Sequence, residues 1–215
     1  MYTYLIFDLD ETLYPREAGV MKAIGRRIER WVAQALDLSP EEAAALRRDY
    51  LRRYGTTLAG LLAEHQVDAD AYLAFVHDVP VEALLRPDPA LAAMLDGIPL
   101  RKAVFTNATS EHGWRVLRAL GLADRFERVI GIREVGLCSK PHLEAYRRVL
   151  ELLGAEGPAC ILVDDRAMNL RPAKRLGMTT VLVDAAVEEG VDFVVEEVLE
   201  VGPLVARLLA QAGDR

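Results

Sequence analysis

Six short apolar runs, most of them about one helix apart, constrain this chain more than any other feature. They fall at residues 2–7, 102–106, 128–130, 159–163, 179–183 and 193–195, and most are rich in β-branched side chains. Strands separated by helices cannot pair as tight hairpins. A helix between successive strands leaves room for a crossover, and the pattern predicts βαβ units, a mainly parallel sheet and an α/β fold. The helices between them are well punctuated. Asp88-Pro89 sets a capping side chain before a first-turn proline, and Gly97 can end that helix. Thr109 or Ser110 can cap the helix carrying Trp114, Leu117 and Leu120, which Gly121 closes. Leu170, Ala173 and Leu176 share one face of a helix closed by Gly177. Leu204, Val205, Leu208 and Leu209 give an amphipathic C-terminal helix.

Residues 16–86 break this pattern, because they contain no strand signal. Met21, Ile24, Ile28, Trp31 and Ala35 recur at helical spacing. Ser39-Pro40-Glu41-Glu42 is a capping box with proline at the first helical position, opening a second helix through Leu46 and Tyr50. Residues 58–64 and 71–77 read as two more helices. A structureless loop of this length would be unusual inside a compact domain. The expectation is a helical insert at 16–86 in an α/β core made of 1–15 and 87–215.

Charge and cysteine usage narrow the classes of function. The 215 residues carry a net charge of −7. The basic pairs Arg26-Arg27, Arg47-Arg48 and Arg52-Arg53 alternate with apolar residues at helical spacing, as solvated helix faces do. A nucleic-acid polymer is therefore not the expected ligand. Cys138 and Cys160 have no C-x-x-C spacing and no histidine cluster, so zinc is not expected. No signal or membrane-length apolar stretch is read, and a cytoplasmic protein without membrane contact is the expectation.

Four polar sites stand where predicted strands end or a helix opens. Tyr4-Leu5-Ile6-Phe7 runs into Asp8, Asp10 and Thr12. Acids at i and i+2 on a regular strand face opposite sides, so the backbone must bend for the two to converge. The carboxyl end of a strand in an open α/β sheet is where such folds bind ligands. The spacing suits Mg²⁺, a hard cation that takes oxygen ligands. Thr106-Asn107 follows Ala103-Val104-Phe105, Lys140-Pro141 opens a helix after a loop, and Asp164-Asp165 follows Ile161-Leu162-Val163. Each has a plainer reading taken alone. These are a polar strand exit, a helix approach with Thr109 as cap, a solvated loop lysine, and an acid pair complementing a helix dipole. Four in one chain, spaced across a parallel-sheet pattern, can converge at one sheet edge.

The order D-x-D-x-T, T-N, K-P, D-D resembles the haloacid dehalogenase superfamily of phosphohydrolases over nearly the whole chain. The resemblance implies a doubly wound core with the first strand central and a small helical cap inserted after the first motif. It implies that Asp8 is a nucleophile forming an aspartyl-phosphate, and that Asp10 protonates the leaving oxygen and then activates water. Thr106 and the Asn107 N–H would bind phosphate oxygens, and Lys140 would stabilise both Asp8 and the transferring group. Asp8, Asp10 through its carbonyl, and Asp165 would hold Mg²⁺, with Asp164 at the metal or beside it. Thr12 and Asn169 match positions that support the ligands from behind. Asp10 favours a phosphatase over a dehalogenase, because halide leaves without a proton.

DLDETLYP, YGTTLAGLL, FVHD, FTNATSEH, LGLADRF and AKRLGMTTVLV are similar to the pyrimidine 5′-nucleotidase branch. That implies a nucleoside monophosphate as substrate. The chain departs from the branch at Arg166, where a serine is usual. Another small phosphorylated metabolite, a sugar phosphate or phosphoglycolate, is the alternative. A non-catalytic binding or regulatory protein on the same fold is the alternative of another class, and such a protein has no need of a proton shuttle at Asp10. Tyr54, Thr56 and His77 are candidate cap contacts, each with a packing role as the competing reading. His112 could approach the phosphate or serve as a capping or surface residue. Monomer and homodimer are both compatible with the amphipathic helix faces.

Overall fold

Tyr4–Phe7 (β1) is buried at all four residues, because it has a strand on either side. The structure, a computed structural model, describes residues 1–183 and 190–213. After β1 come four helices, Val20–Leu36 (α1), Pro40–Tyr54 (α2), Thr57–Glu64 (α3) and Ala69–Val76 (α4). Val81–Leu84 (α5) and Pro89–Asp96 (α6) lead into Arg101–Phe105 (β2). Ser110–Ala119 (α7), Arg128–Ile130 (β3), Leu143–Leu153 (α8) and Cys160–Asp164 (β4) follow. The chain continues through Ala167–Arg175 (α9), Thr179–Val183 (β5), Phe193–Val195 (β6) and Val201–Gly213 (α10).

The strands form one parallel sheet in the order β3-β2-β1-β4-β5-β6. Winding runs outward from β1 through β2 to β3, then returns to β4 on the other side of β1 and runs outward again. The reversal beside β1 is the topological switch point of a doubly wound fold, where ligand crevices open. Alternation along β1 feeds the two faces. Leu5 and Phe7 pack with Leu95, Val116, Leu117 and Leu204 from α6, α7 and α10. Tyr4 and Ile6 pack with Tyr146, Val149, Leu170 and Ala173 from α8 and α9. Covered on both faces, the strands can be apolar at nearly every position.

Helices α1 to α4 form the inserted layer. α1 packs on α2 and α4, and α2 packs on α3. The expected capping box is formed: Ser39 Oγ accepts from Glu42 N at 3.2 Å, and Ser39 N donates to Glu42 Oε2 at 2.9 Å. Gly60 of α3 lets that helix lie directly on the Tyr50 ring of α2, where a Cβ would overlap the ring. The return to the sheet is pinned by Arg115 of α7. It donates to the carbonyls of His77 at 3.2 Å and Val79 at 2.8 Å and pairs with Glu82 at 2.9 Å. Val79, Val81 and Leu85 join the apolar cluster of α6 and α7, which Val20 and Ile24 of α1 also enter.

Several local boundaries differ from the expected ones: the strand read at 102–106 runs Arg101–Phe105, and the helices read at 58–64 and 71–77 run Thr57–Glu64 and Ala69–Val76. β1 begins at Tyr4 rather than residue 2. β4 runs one residue further than read and includes Asp164, which pairs with Leu182 of β5. The helix expected to open at Lys140-Pro141 begins at Leu143, because the Lys140 backbone is held elsewhere, as described next.

Candidate active site

Asp8 leaves β1 with its N–H still bonded to the Val163 carbonyl at 2.8 Å, which fixes where its side chain emerges. The bend required of the D-x-D segment follows at once. Leu13 N returns to Leu9 O at 3.0 Å, and Glu11 takes a left-handed φ of 67°. The turn sends the two carboxylates to different surroundings instead of bringing their side chains together.

Asp8 faces a buried cation. Lys140 Nζ donates to Asp8 Oδ1 at 2.6 Å and to Asp164 Oδ2 at 2.7 Å, and Lys140 is only 2% exposed. Burial alone would lower the lysine, but Asp164 and Asp8 outweigh it and hold the ammonium above its ordinary range. Its position is set from β2. Asn107 Oδ1 accepts from Lys140 N at 2.7 Å, and Asn107 Nδ2 donates to Lys140 O at 3.1 Å. With both backbone groups clamped by one side chain, Lys140 cannot enter the helix that follows. Sequence reasoning gave Asn107 only a backbone role. Thr106, 2% exposed, accepts from Ala108 N at 3.0 Å.

Thr12 joins two of the acids. Its hydroxyl donates to Asp8 Oδ2 at 3.2 Å and accepts from Asp165 N at 3.1 Å. Asn169 Nδ2 donates to Asp164 Oδ1 at 2.9 Å and Oδ2 at 3.1 Å, and the Arg166 N–H adds a third bond to Asp164 Oδ1 at 2.9 Å. Asp165, by contrast, accepts no hydrogen bond or ion pair among the described residues. Oxygens of Asp8, Asp164 and Asp165 lie within 4.8 Å of one another. Burial raises Asp8 to about 7, with Asp164 and Asp165 adding to the rise and Lys140 opposing it. Burial and then Asp164 raise Asp165 to about 6. Three acids and one ammonium therefore leave uncompensated negative charge, and the donors are all oxygen. That set fits Mg²⁺.

Asp10 is excluded from this cluster. Its Oδ1 accepts from Tyr14 Oη at 2.5 Å and lies 3.3 Å from His112 Nε2. Burial pushes Asp10 up, but His112 and the Tyr14 hydroxyl outweigh it, and its carboxyl lies below the ordinary range. His112 is not a surface residue, and its backbone N–H is the one that the Thr109 hydroxyl caps at 3.2 Å. It is 1% exposed and its ring sits 4.9 Å from that of His77. Burial, then His112, lowers His77 to about 4, and its Nδ1 bonds the Leu73 carbonyl at 2.9 Å. The signal for Tyr14 was its place four residues after Asp10 across the turn. His112 stood out as a residue that could approach the phosphate, but nothing local pointed to Asp10 as its partner.

A cavity of about 220 Å³ lies between this edge of the sheet and the inserted helices. Asp8, Asp10, Thr106, Asn107, Lys140 and Asp165 line one side, and residues of α1 to α4 line the other. Of the cap candidates, Thr56 and His77 line it, although the Thr56 hydroxyl is engaged as the α3 cap with Ala59 N at 3.1 Å. Tyr54 is a correction: it is not brought to the cavity. Its hydroxyl donates to Glu64 at 2.6 Å and accepts from Arg53 at 2.9 Å on the outer side of α2 and α3. The neighbouring Gly55 makes the contact instead. It has φ 81°, and a Cβ there would lie 3.2 Å from Pro141 Cδ, against the Lys140 loop.

A family model of haloacid dehalogenase-like hydrolases matches residues 2–177. The chain belongs to that family. Among curated relatives of this hydrolase, Phosphate metabolism protein 8 of Saccharomyces cerevisiae is 28% identical over 192 residues, which is 82% of this chain and 60% of the yeast protein. The chain thus spans less than two thirds of that relative. The glyceraldehyde 3-phosphate phosphatase of Methanocaldococcus jannaschii is 28% identical over 224 residues, covering 95% of this chain and 97% of its own. A HAD phosphatase structure from Thermococcus onnurineus superposes with a TM-score of 0.66 at 20% identity, covering 95% and 98% of the two chains, a likeness of fold.

Proposed function

We propose that this hydrolase cleaves small phosphate monoesters through an aspartyl-phosphate on Asp8. The observation that carries this reading is the separation of two neighbouring carboxylates, Asp8 buried and Asp10 partly so, into opposed environments. Asp8 is bonded to the Lys140 ammonium, and Asp10 is bonded to Tyr14 and His112 at the same cavity. Two acids held apart in this way suit a nucleophile and a proton carrier. Mg²⁺ would be held by Asp8, Asp165 and the Asp10 carbonyl, with Asp164 beside them. Bound there, it supplies neutralisation of the phosphate charge.

The chain's own groups do the rest. Lys140 and the Thr106 and Asn107 groups hold phosphate oxygens. Asp8 attacks phosphorus, and the ester P–O bond breaks as the Asp8–phosphate bond forms. The leaving oxygen takes a proton from Asp10. Asp10 then accepts a proton from water, which attacks phosphorus, releases inorganic phosphate and restores the Asp8 carboxylate. The bonds from Tyr14 and His112 favour the ionised form of Asp10, as the second half requires. For the first half His112 Nε2, 3.3 Å away, is the group placed to pass Asp10 a proton. The helical layer, residues 16–86 by sequence, covers the site and excludes water from the acyl-phosphate.

The substrate best supported is a short phosphorylated metabolite. The Methanocaldococcus jannaschii relative, matched over nearly its whole length, is named for a triose phosphate. The nucleoside monophosphate reading rests on segment resemblance, and one of its distinctive residues, Tyr54, bonds Glu64 and is not among the residues that line the cavity. Phosphate release from a panel of triose, pentose and nucleoside monophosphates, with Mg²⁺ and with chelator, tests both. Mg²⁺-dependent release led by a short ester, lowered about a thousandfold or more in Asp8→Asn, is expected. Release led by UMP or CMP would restore the nucleotidase reading. Release that survives Asp8→Asn would overturn the mechanism.

A further inference from the structure

Four buried side-chain polar atoms among the described residues have no hydrogen-bond partner: Arg47 Nε, Thr57 Oγ1, His112 Nδ1 and Ser139 Oγ. Two of these, on α2 and α3, belong to residues that line the cavity from the side of the inserted helices. An interior polar atom left unpaired costs more than a made hydrogen bond gains, so two in one wall call for a partner.

Arg47 is shaped for that purpose. Among the described residues one of its five N–H groups is used, Nη1 donating to Glu29 at 2.8 Å. The guanidinium lies over Gly25 of α1, where a Cβ would come within 2.8 Å of Nη2 and 3.1 Å of Nη1. Gly25 therefore leaves the space the guanidinium occupies. Thr57, 3% exposed, is not the α3 cap, since Thr56 performs that task, so its hydroxyl is free of local duty. The lining around them is apolar, with Ile24, Ile28, Leu58 and Leu73. Donors set in an apolar wall select strongly for a group that can accept them.

We propose that Arg47 and Thr57 form a second anion subsite, binding a carboxylate or second phosphate carried by the leaving group. This deepens the phosphatase reading above and rests on it. Both residues can donate, and an oxyanion accepts from both at once. The planar guanidinium suits carboxylate and phosphate alike. A leaving group ending in a methyl group would bury the Arg47 donor unpaired, and a hydroxyl would offer it a neutral acceptor in place of a charge-assisted one.

Matched substrates test this. 3-Phosphoglycerate and glycerol 3-phosphate differ by a carboxylate against a hydroxymethyl group. Ribulose 1,5-bisphosphate and ribulose 5-phosphate differ by the second phosphate, and show which oxyanion is preferred. At least one anionic member is expected to lead its partner in kcat/KM by about tenfold or more. That ratio should collapse towards unity in Arg47→Gln and fall severalfold in the isosteric Thr57→Val, which guards against a folding defect in the arginine variant. Titration calorimetry on Asp8→Asn with the same four esters reads the preference as a ratio of Kd, independently of turnover. A preference within about twofold in both pairs, or one that neither variant alters, overturns the subsite. Absence of phosphate release with a retained Kd preference would overturn the phosphatase reading and leave the subsite standing.

Discussion

Asp10 and Asp8 are separated by a single residue yet meet different chemistry, and that difference can be measured one side chain at a time. Asp10→Asn removes the proton carrier while leaving Asp8 and Lys140 in place. Loss of about a hundredfold is expected with alkyl phosphates and about tenfold or less with an aryl phosphate, whose leaving group needs little protonation. Equal losses on the two esters would remove Asp10 from proton transfer. Thr12→Val breaks the link from Asp8 Oδ2 to the Asp165 N–H. It should raise the Mg²⁺ concentration for half-maximal rate by about tenfold or more, and an unchanged Mg²⁺ requirement would contradict the fit of this cluster to the metal. The acids themselves were legible in the sequence, since D-x-D at a strand end is a local pattern. Their partners were not. Tyr14 reaches Asp10 only because the turn at Glu11 brings it round, and His112 comes from a helix 102 residues away.

Element boundaries divide along the same line between local and distant causes. The capping box at Ser39 and the Thr109 cap act within four residues, and both form as the sequence indicates. Ser39→Ala should lower stability by about 1 kcal/mol through loss of that box, seen as a lower denaturation midpoint with phosphate release retained. A midpoint unchanged within error would show that α2 is held by packing alone. The start of α8 is set instead by Asn107, 33 residues before Lys140, and no helix-start signal could reveal it. The extension of β4 through Asp164 likewise depends on pairing with Leu182 across the sheet. That pairing places Asp164 inside the strand and fully buried, with Lys140 and Asn169 as its neighbours.

At the scale of the whole molecule, the parallel sheet was legible because strands about one helix apart are a pattern spread over many residues, whereas the central place of β1 came only with the family resemblance. The contact of Gly55 with Pro141 and the clasp of Arg115 on residues 77–82 were not legible, since each needs the insert already docked. The site also has a cost that the fold as a whole must carry. Asp8 at about 7 and Asp165 at about 6 both lie above the ordinary carboxylate range. The folded state therefore holds these protons more tightly than the unfolded chain. Stability conferred by them is present at low pH and is lost as pH rises through the folded values. Mg²⁺ must displace those protons when they are bound, so it should raise the melting temperature more at about pH 8 than at about pH 5. A larger rise at the acidic pH would contradict the charge balance of the cluster. The most direct test of the central claim is the covalent state of Asp8 during turnover. The protein would be quenched in acid while hydrolysing a phosphate ester with Mg²⁺, digested, and its peptides weighed by mass spectrometry. A phosphoryl group on the peptide carrying Asp8, absent from Asp8→Asn, is the expected result. A phosphoryl group on another residue during active hydrolysis would contradict it.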